Sequence, residues 1–478
     1  MRKAALGGIF LVEILVLCLP GQWWAIAGLS LILAGALVGV FFEVLRGRSD
    51  FVVMGWVLIF PLGYYFLSFP REHPLITLDR AFLGILLATA CFADYRDRVR
   101  TPRLLRRSAL YWTFFLLFAA VAIPRARVPL NSLRVWLEAF LFPALLAWYV
   151  LQHFEIRRHV SKLHVITCVM AIYLAGIGFA EVVLQRDLLE LPSSGVILAG
   201  DYSADVRDPA AQIFVRPNGP FSTTNSYAMV GAVSFFFLLF LKRALGDRIP
   251  GWQKWLHRFG VSAALLEALM PLFKSVLISL VIVLLIDACY QNGRRRFLRL
   301  GAVIGMGLGV LALQLAFPVI FEERADPITF YARIAQENQT LALFLDHPIN
   351  GVGLNNFHEA ALSSPSTYYQ TGEALDSPHN NLGAILAETG LTGFLPFIAS
   401  QVFFVSAFWK LRQVDFPDSK LVWKTFLFLF LVYWTNGMAL TIAYFEDLNL
   451  WYMFVMAVLY KFAITSPEVR APSREFAS

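Results

Sequence analysis

Charge is scarce in this chain. Asp, Glu, Lys and Arg supply 15% of its 478 residues, while 58% are hydrophobic. A soluble globular domain carries roughly a quarter charged residues, so a water-soluble fold is excluded, and the mean hydropathy of +0.63 agrees. Cysteine is scarcer still. The four present, Cys18, Cys91, Cys168 and Cys289, all fall inside apolar runs at neither disulfide nor metal-ligand spacing, so they read as small buried hydrophobes. Three catalytic signatures are missing as well. There is no GxSxG elbow for a serine hydrolase, no GxxxxGK[ST] loop to cradle phosphate, and no HExxH or related spacing around His347, His358 or His379. A catalytic metal is therefore not expected, and no cofactor is. The net charge of +7 does not signal nucleic acid, because Lys and Arg fall in short loops between apolar segments and form no stripe interleaved with stacking aromatics. With neither solenoid repeat nor low-complexity linker, residues 1–478 read as a single integral membrane domain.

What is abundant is the apolar run. Stretches near spanning length recur at about 4–20, 23–42, 51–69, 75–94, 108–123, 135–152, 163–184 and 225–241, each bounded by charged or Pro/Gly-containing turns. The first, MRKAALGGIFLVEILVLCLP, lacks a small-residue cleavage site and is followed at once by another run, so it is read as a retained helix. The loop YRDRVRTPRLLRR, residues 95–107, holds six arginines and is assigned to the cytoplasm. Parity then puts the N-terminus inside and makes 185–224 a first periplasmic loop. Basic loops at 242–258 and 291–299 are also assigned inside, so residues 260–290 must cross twice or not at all. At about 31 residues that stretch is short for two full spans. It is expected to be a short hairpin or broken pair with Pro271–Ser275 at its outer tip, which puts Lys274 near the periplasmic face. Residues 299–319 return outward, 320–379 form a large periplasmic loop, and 380–409, 421–441 and 447–463 finish with the C-terminus inside. The expected fold is an all-α polytopic membrane protein of about 12–14 transmembrane helices, with amphipathic helices in the large loop.

Both long external loops exceed what a connection needs, so they are read as functional or as folded, lid-like elements. Within the second, Ala332, Ala335, Leu341, Phe344 and Leu345 recur at helical spacing, predicting an amphipathic helix over about 328–345 at the interface, with Arg333 on its first turns. The segment 346–393 opens with DHPINGVGLNNF and closes with SPHNNLGAILAETGLTGF, so His379 stands where a polar loop meets an apolar helix. Arg216, Lys274, Arg324 and Arg333 are all external in this topology, and cations gathered on one face suit an anionic ligand. Each has a plainer alternative. An arginine at a helix end often anchors the interface, His347 belongs to a Pro/Gly turn, and Asn380 and Asn381 are placed to cap the helix that begins near Leu382. Glu388, two turns into an apolar helix, must face the protein interior. It is read equally as a structural hydrogen-bonder or as an orienter of a ligand site.

At these residues a family resemblance emerges. Arg333, Gly351 of NGVGLNNF and His379 of SPHNNLGAILAETGLTGF resemble the C-terminal signature of the O-antigen ligase and O-antigen polymerase family. Upstream, RPNGPFSTTNSYA (216–228), with Arg216 and Asn225 at its fixed positions, resembles a further element of that family. FKSVLISLVIVLL is similar to its Ser-Arg helix, although Lys274–Ser275 stands where a Ser-Arg pair is common. The resemblance spans roughly 210–410. It implies a GT-C-like glycosyltransferase of the bacterial inner membrane that takes a glycan from an undecaprenyl-diphosphate carrier in a metal-independent, inverting reaction. Arg216 and Arg333, with Lys274 as a further cation, would hold the diphosphate. His379 would act as base on the acceptor hydroxyl, with Asn225, Asn380, Asn381 and Glu388 in support. The implied acceptor is lipid A-core, for a ligase, since one dominant histidine-bearing loop follows the ligase layout. A polymerase would extend a lipid-linked repeat, and a third relative glycosylates protein hydroxyls. A flippase of an anionic lipid-linked glycan is the reading from another class, and would call for ionisable residues deep in several spans rather than crowded on one face.

Overall fold

The computed structural model describes residues 49–66, 68–69, 76–92, 103–189, 216–246, 249–290, a broken run between 293 and 309, 327–363, 378–413 and 418–465. Among them the principal helices are α1 Ser49–Ile59, α2 Leu78–Phe92, α3 Arg103–Ala122, α4 Pro129–Val135, α5 Phe142–His153, α6 Ile156–Leu184, α7 Thr224–Leu245, α8 Gly251–Leu269, α9 Lys274–Cys289, α10 Pro327–Asp346, α11 Phe357–Ser363, α12 Asn381–Gln413, α13 Ser419–Gly437 and α14 Glu446–Ile464. The strand pairing among the described residues is a two-residue antiparallel ladder, Ser68–Phe69 against Ile76–Thr77, with Ser68 opposite Thr77. The protein is an all-α polytopic membrane protein. Six stretches are long and apolar enough to cross a membrane: Leu105–Arg125, Pro129–His153, Ile156–Leu184, Thr224–Leu245, Asn381–Gln413 and Glu446–Ile464. The expected spans at 4–20 and 23–42, and most of 299–319, lie outside the described residues.

Helix α7 is the hub. Thr223, in extended backbone, accepts a hydrogen bond from the Ser226 N–H at 3.0 Å and starts the helix. Buried residues then occupy every face of α7 as it packs on α6, α8, α13 and α14. Helices packed in lipid approach closely only where side chains are small. Gly231 of α7 lets α8 pack down at Glu267 and Ala268, and Gly260 of α8 faces Cys168 of α6, whose Sγ would lie 2.9 Å from any added Cβ.

Pro143 shapes the neighbouring span. Without an N–H it cannot complete the helical ladder to Ala139, and the chain widens into a π-helix over Trp136–Leu141 just before it. The Ala139 carbonyl instead accepts from Asn449 Nδ2 at 3.3 Å, which fastens this span to α14. Glu138, buried inside the π-turn, pairs with Arg80 at 2.8 Å, and Arg80 also forks onto Glu446 at 2.7 and 3.1 Å. The buried carboxylates and arginine compensate one another.

Residues 260–290 break as expected, at Met270–Phe273, with Leu272 in the left-handed region at φ 55°. The two arms are longer than the apolar run suggests, because the basic residues from Gly251 onward already form the first turns of α8. They also part from each other: α8 packs on α6 and α7, while α9 lies against α13. The amphipathic helix α10 covers the predicted stretch, and its polar face is the buried one. Gln336, Gln339, Thr340 and Leu343 are buried, whereas Ile334, Leu341 and Leu345 are exposed. Outward apolar side chains are what a helix lying in the interface requires.

Candidate active site at one end of the bundle

Arg216 begins a turn, Arg216–Pro220, that is held by a carboxylate from the end of α6. Glu181 Oε2 accepts from the N–H groups of Asn218 at 3.0 Å and Gly219 at 2.8 Å. The Arg216 guanidinium then lies 5.8 Å from the Phe273 ring centroid, against the α8–α9 tip that carries Lys274. Five residues into α9, Ser279 Oγ accepts from Asn436 Nδ2 at 3.3 Å, and the next residue, Gly437, packs on the Asn381 side chain. Asn381 Oδ1 in turn accepts from Ala443 N–H at 2.8 Å. This chain of contacts carries Arg216, Lys274, Asn381 and the adjoining His379 to the same end of the bundle.

Helix α10 joins them there. Asn380 Oδ1 caps α12 by accepting from the Gly383 N–H, and its Nδ2 donates to Glu337 Oε1 at 2.5 Å. Arg333 lies one turn before Glu337, exposed, and has no ion-pair partner among the described residues. Of the two asparagines read as possible caps, Asn380 is one and Asn381 is a bridge to the α13–α14 loop.

The two motifs of segment 346–393 are built into each other. Gly390 takes φ 60° and ψ −168°, which breaks the hydrogen-bond ladder inside α12. The turn 348–353 enters the break. Val352 and Gly353 donate to the carbonyls of Ala387 at 3.1 Å and Glu388 at 2.8 Å, while Leu391 and Thr392 donate to Pro348 at 2.9 Å and Ile349 at 3.1 Å. A side chain on Gly351, at φ 65°, would strike the Glu388–Thr389 backbone, and one on Gly390 would strike Ile349. Glu388, fully buried, then pins the far side of the turn. It accepts from the N–H of Asn355 at 2.6 Å, from that of Phe357 at 3.3 Å and from the Tyr444 hydroxyl. Of its two readings, the structural one accounts for these bonds. The turn is also fixed to α4, where Ser132 Oγ donates to the Leu354 carbonyl at 2.5 Å and receives Asn356 Nδ2 at 2.7 Å.

On this scaffold His379 is half-buried and held at φ 49°. A non-glycine residue in the left-handed region is sparsely populated and persists only where its surroundings impose it, commonly at ligand sites. Asn225, 2% exposed on the first turn of α7, has neither amide atom bonded among the described residues. The same holds for the Gln339 amide and for Gln336 Oε1 on the inner face of α10. Buried amides left unsatisfied are costly, so these are hydrogen-bonding groups with capacity for a ligand. The glutamines were hidden in the sequence by the apolar pattern around them. Glu181 carried a legible signal, a carboxylate inside the apolar run 163–184, of the kind that singled out Glu388.

These features define a multi-pass membrane protein with a polar, histidine-bearing site at one end of its helices. Residues 221–398 match the family model described as O-antigen ligase. The match includes Asn225, Lys274, Arg333, His379, Asn380, Asn381 and Glu388, and begins five residues after Arg216. A search of curated proteins finds no match to the chain.

Proposed function

We propose that the protein is a membrane glycosyltransferase that moves a glycan from undecaprenyl diphosphate to a hydroxyl of lipid A-core, at a periplasmic site in the inner membrane. The observation that carries this reading is the gathering of Arg216, Lys274, the Arg333-bearing helix and a left-handed His379 at one end of the bundle. Sidedness follows from charge. The arginines that open α3 and the basic residues between α7 and α8 lie at the opposite end, and short basic loops stay in the cytoplasm.

In the proposed reaction the acceptor O–H gives its proton to the His379 imidazole as its oxygen attacks the anomeric carbon. The bond from that carbon to the diphosphate oxygen breaks, the sugar inverts, and undecaprenyl diphosphate departs with the bonding pair. Negative charge grows on the leaving diphosphate. The guanidinium groups of Arg216 and Arg333, with the Lys274 ammonium, stabilise it through charge-assisted hydrogen bonds. A neutral imidazole suits proton acceptance near neutral pH. Residues 185–224 and 320–379 serve as the periplasmic loops that build the site on a single membrane domain.

An apolar cavity of about 450 Å³ supports a lipid-linked donor. It is lined by Trp112, Phe140, Trp148, Phe397, Trp434 and Tyr452 and reaches Ala443, the residue bonded to Asn381, so a polyprenyl tail seated there would bring its diphosphate to the histidine end. Deleting the gene in the host and analysing surface polysaccharide tests the proposal. Long chains accumulating on the lipid carrier support ligation. Single capped repeats would assign a polymerase instead, and an unchanged surface would remove both.

A further inference from the structure

Toward the end of the bundle away from His379, three side chains that no sequence motif links come together between α6 and α8, two turns inside each helix. His164 Nε2 lies 3.1 Å from His257 Nδ1 and 3.8 Å from Cys168 Sγ, and all three atoms fall within 4.8 Å of one another. His164 and Cys168 are one turn apart on α6, so they share a face. His257 comes from α8, 93 residues away in sequence from His164. The meeting depends on Gly260, one turn beyond His257, whose bare Cα lets α8 settle onto Cys168. All three side chains are buried, beside an apolar cluster of Ala171, Leu238 and Ala264.

We propose that His164, Cys168 and His257 form a binding site for a single thiophilic d¹⁰ metal ion, Cu(I). Two imidazoles and a thiolate spread evenly in a plane around one ion separate the nitrogens by about 3.5 Å and nitrogen from sulfur by about 3.8 Å, given Zn–N and Zn–S lengths near 2.0–2.1 and 2.3 Å. The 3.8 Å separation here matches the second and the 3.1 Å one needs the imidazoles to part only slightly, so the donors are already grouped. A His₂Cys trigonal set is the one that proteins use for copper. Charge selects the monovalent ion. One thiolate neutralises Cu(I) completely, whereas a divalent ion would keep a net positive charge in a buried, apolar place, which is costly. Lys242, within electrostatic reach of both imidazoles, makes a second positive charge still less favourable.

Gln253 supplies the outer support such a site needs. Its amide lies 3.0 Å from His164 Nδ1 and 3.3 Å from Ser161 Oγ. Without metal, the Gln253 N–H donates to Nδ1, and His164 Nε2–H donates to His257 Nδ1. With metal on Nε2, the His164 proton sits on Nδ1 and donates to the Gln253 carbonyl, which requires only that the amide turn over. The thiol proton leaves to solvent, so one proton is released per ion bound.

The test uses full-length protein in detergent, with any affinity tag removed and Cys18, Cys91 and Cys289 replaced by serine, so that Cys168 is the sole thiol. Cu(I) is offered against the chromophoric chelator bicinchoninate. The expected result is one Cu(I) retained per chain, with Cys168→Ser and His257→Gln each weakening retention at least tenfold while the protein stays monodisperse. Retention unchanged by both substitutions, or none in the parent, overturns the site. Zn(II) held more tightly than Cu(I) in a parallel titration overturns the choice of ion. If a variant aggregates, X-ray absorption at the copper edge of the parent decides: one sulfur with two imidazoles supports the site, and the absence of sulfur overturns it.

Discussion

The two ends of the helix bundle use their polar residues differently. At the end away from His379, charge is spent on fastening helices together. Arg157 pairs with Asp418 at 2.9 Å and lies over the Phe462 ring at 4.0 Å, His159 meets Asp50 at 2.7 Å, Lys424 pairs with Asp287, and Lys461 donates to the Leu151 carbonyl. At the His379 end lie all four described non-glycine residues with positive φ: Gln185, Leu272, Asn355 and His379. The amides of Asn225 and Gln339 are buried there with no partner among the described residues. Left-handed backbone therefore collects where a substrate is proposed to bind, whereas ion pairs serve both ends, since the buried Arg80–Glu138–Glu446 group lies beside the Tyr444 loop. The lesson is that composition alone does not reveal which polar groups serve the fold, because both ends use the same residue types.

The comparison can be broken most directly at His379. His379→Ala is expected to cut glycan transfer by about 10²–10⁴-fold, the usual worth of a general base, with protein level and donor retention unchanged; transfer that persists in a reconstituted assay would remove the catalytic assignment. Next in size is Glu388→Ala, which orphans two backbone N–H groups and the Tyr444 hydroxyl. It should cost about 3 kcal/mol or more, read as a lower thermal midpoint in detergent, and an unshifted midpoint would mean that the interlock does not depend on this carboxylate. Arg333→Lys should raise the KM for the lipid-linked donor about tenfold, nearly as much as Arg333→Ala, because an ammonium cannot fork onto phosphate oxygens. A lysine variant with unchanged KM would reduce the residue to an interfacial anchor. The smallest effect belongs to Glu267→Gln. Glu267 is fully buried like Glu388, but neither of its carboxylate oxygens has a partner among the described residues. Because the substitution breaks no hydrogen bond among the described residues and keeps the side chain's shape, it should change the unfolding free energy by no more than about 1 kcal/mol, and a loss as large as that for Glu388→Ala would show that the two glutamates are not opposites.

Much of the architecture was legible because membranes simplify the code. Apolar length and basic loops anticipated α3, α5, α6, α7, α12 and α14, the break at 270–273 and the extent of α10. The sequence placed α10 at the interface, but which of its polar side chains turn inward, Gln336 and Gln339 among them, depended on the helices packed beneath it. Asn380 and Asn381, adjacent and chemically identical, could not be told apart until α13 and α10 closed around them.

By itself, then, the sequence determined the all-α membrane class and where long polar loops fall between its apolar runs. These are local properties, fixed by hydropathy over some 20 residues and by side-chain type. Tertiary structure alone decided that Gly351 and Gly390 lock together, that Glu181 holds the Arg216 turn, and that Cys168 meets His257 across Gly260. Each of those contacts joins residues far apart along the chain, and only the packing of helices at close range brings them within bonding distance.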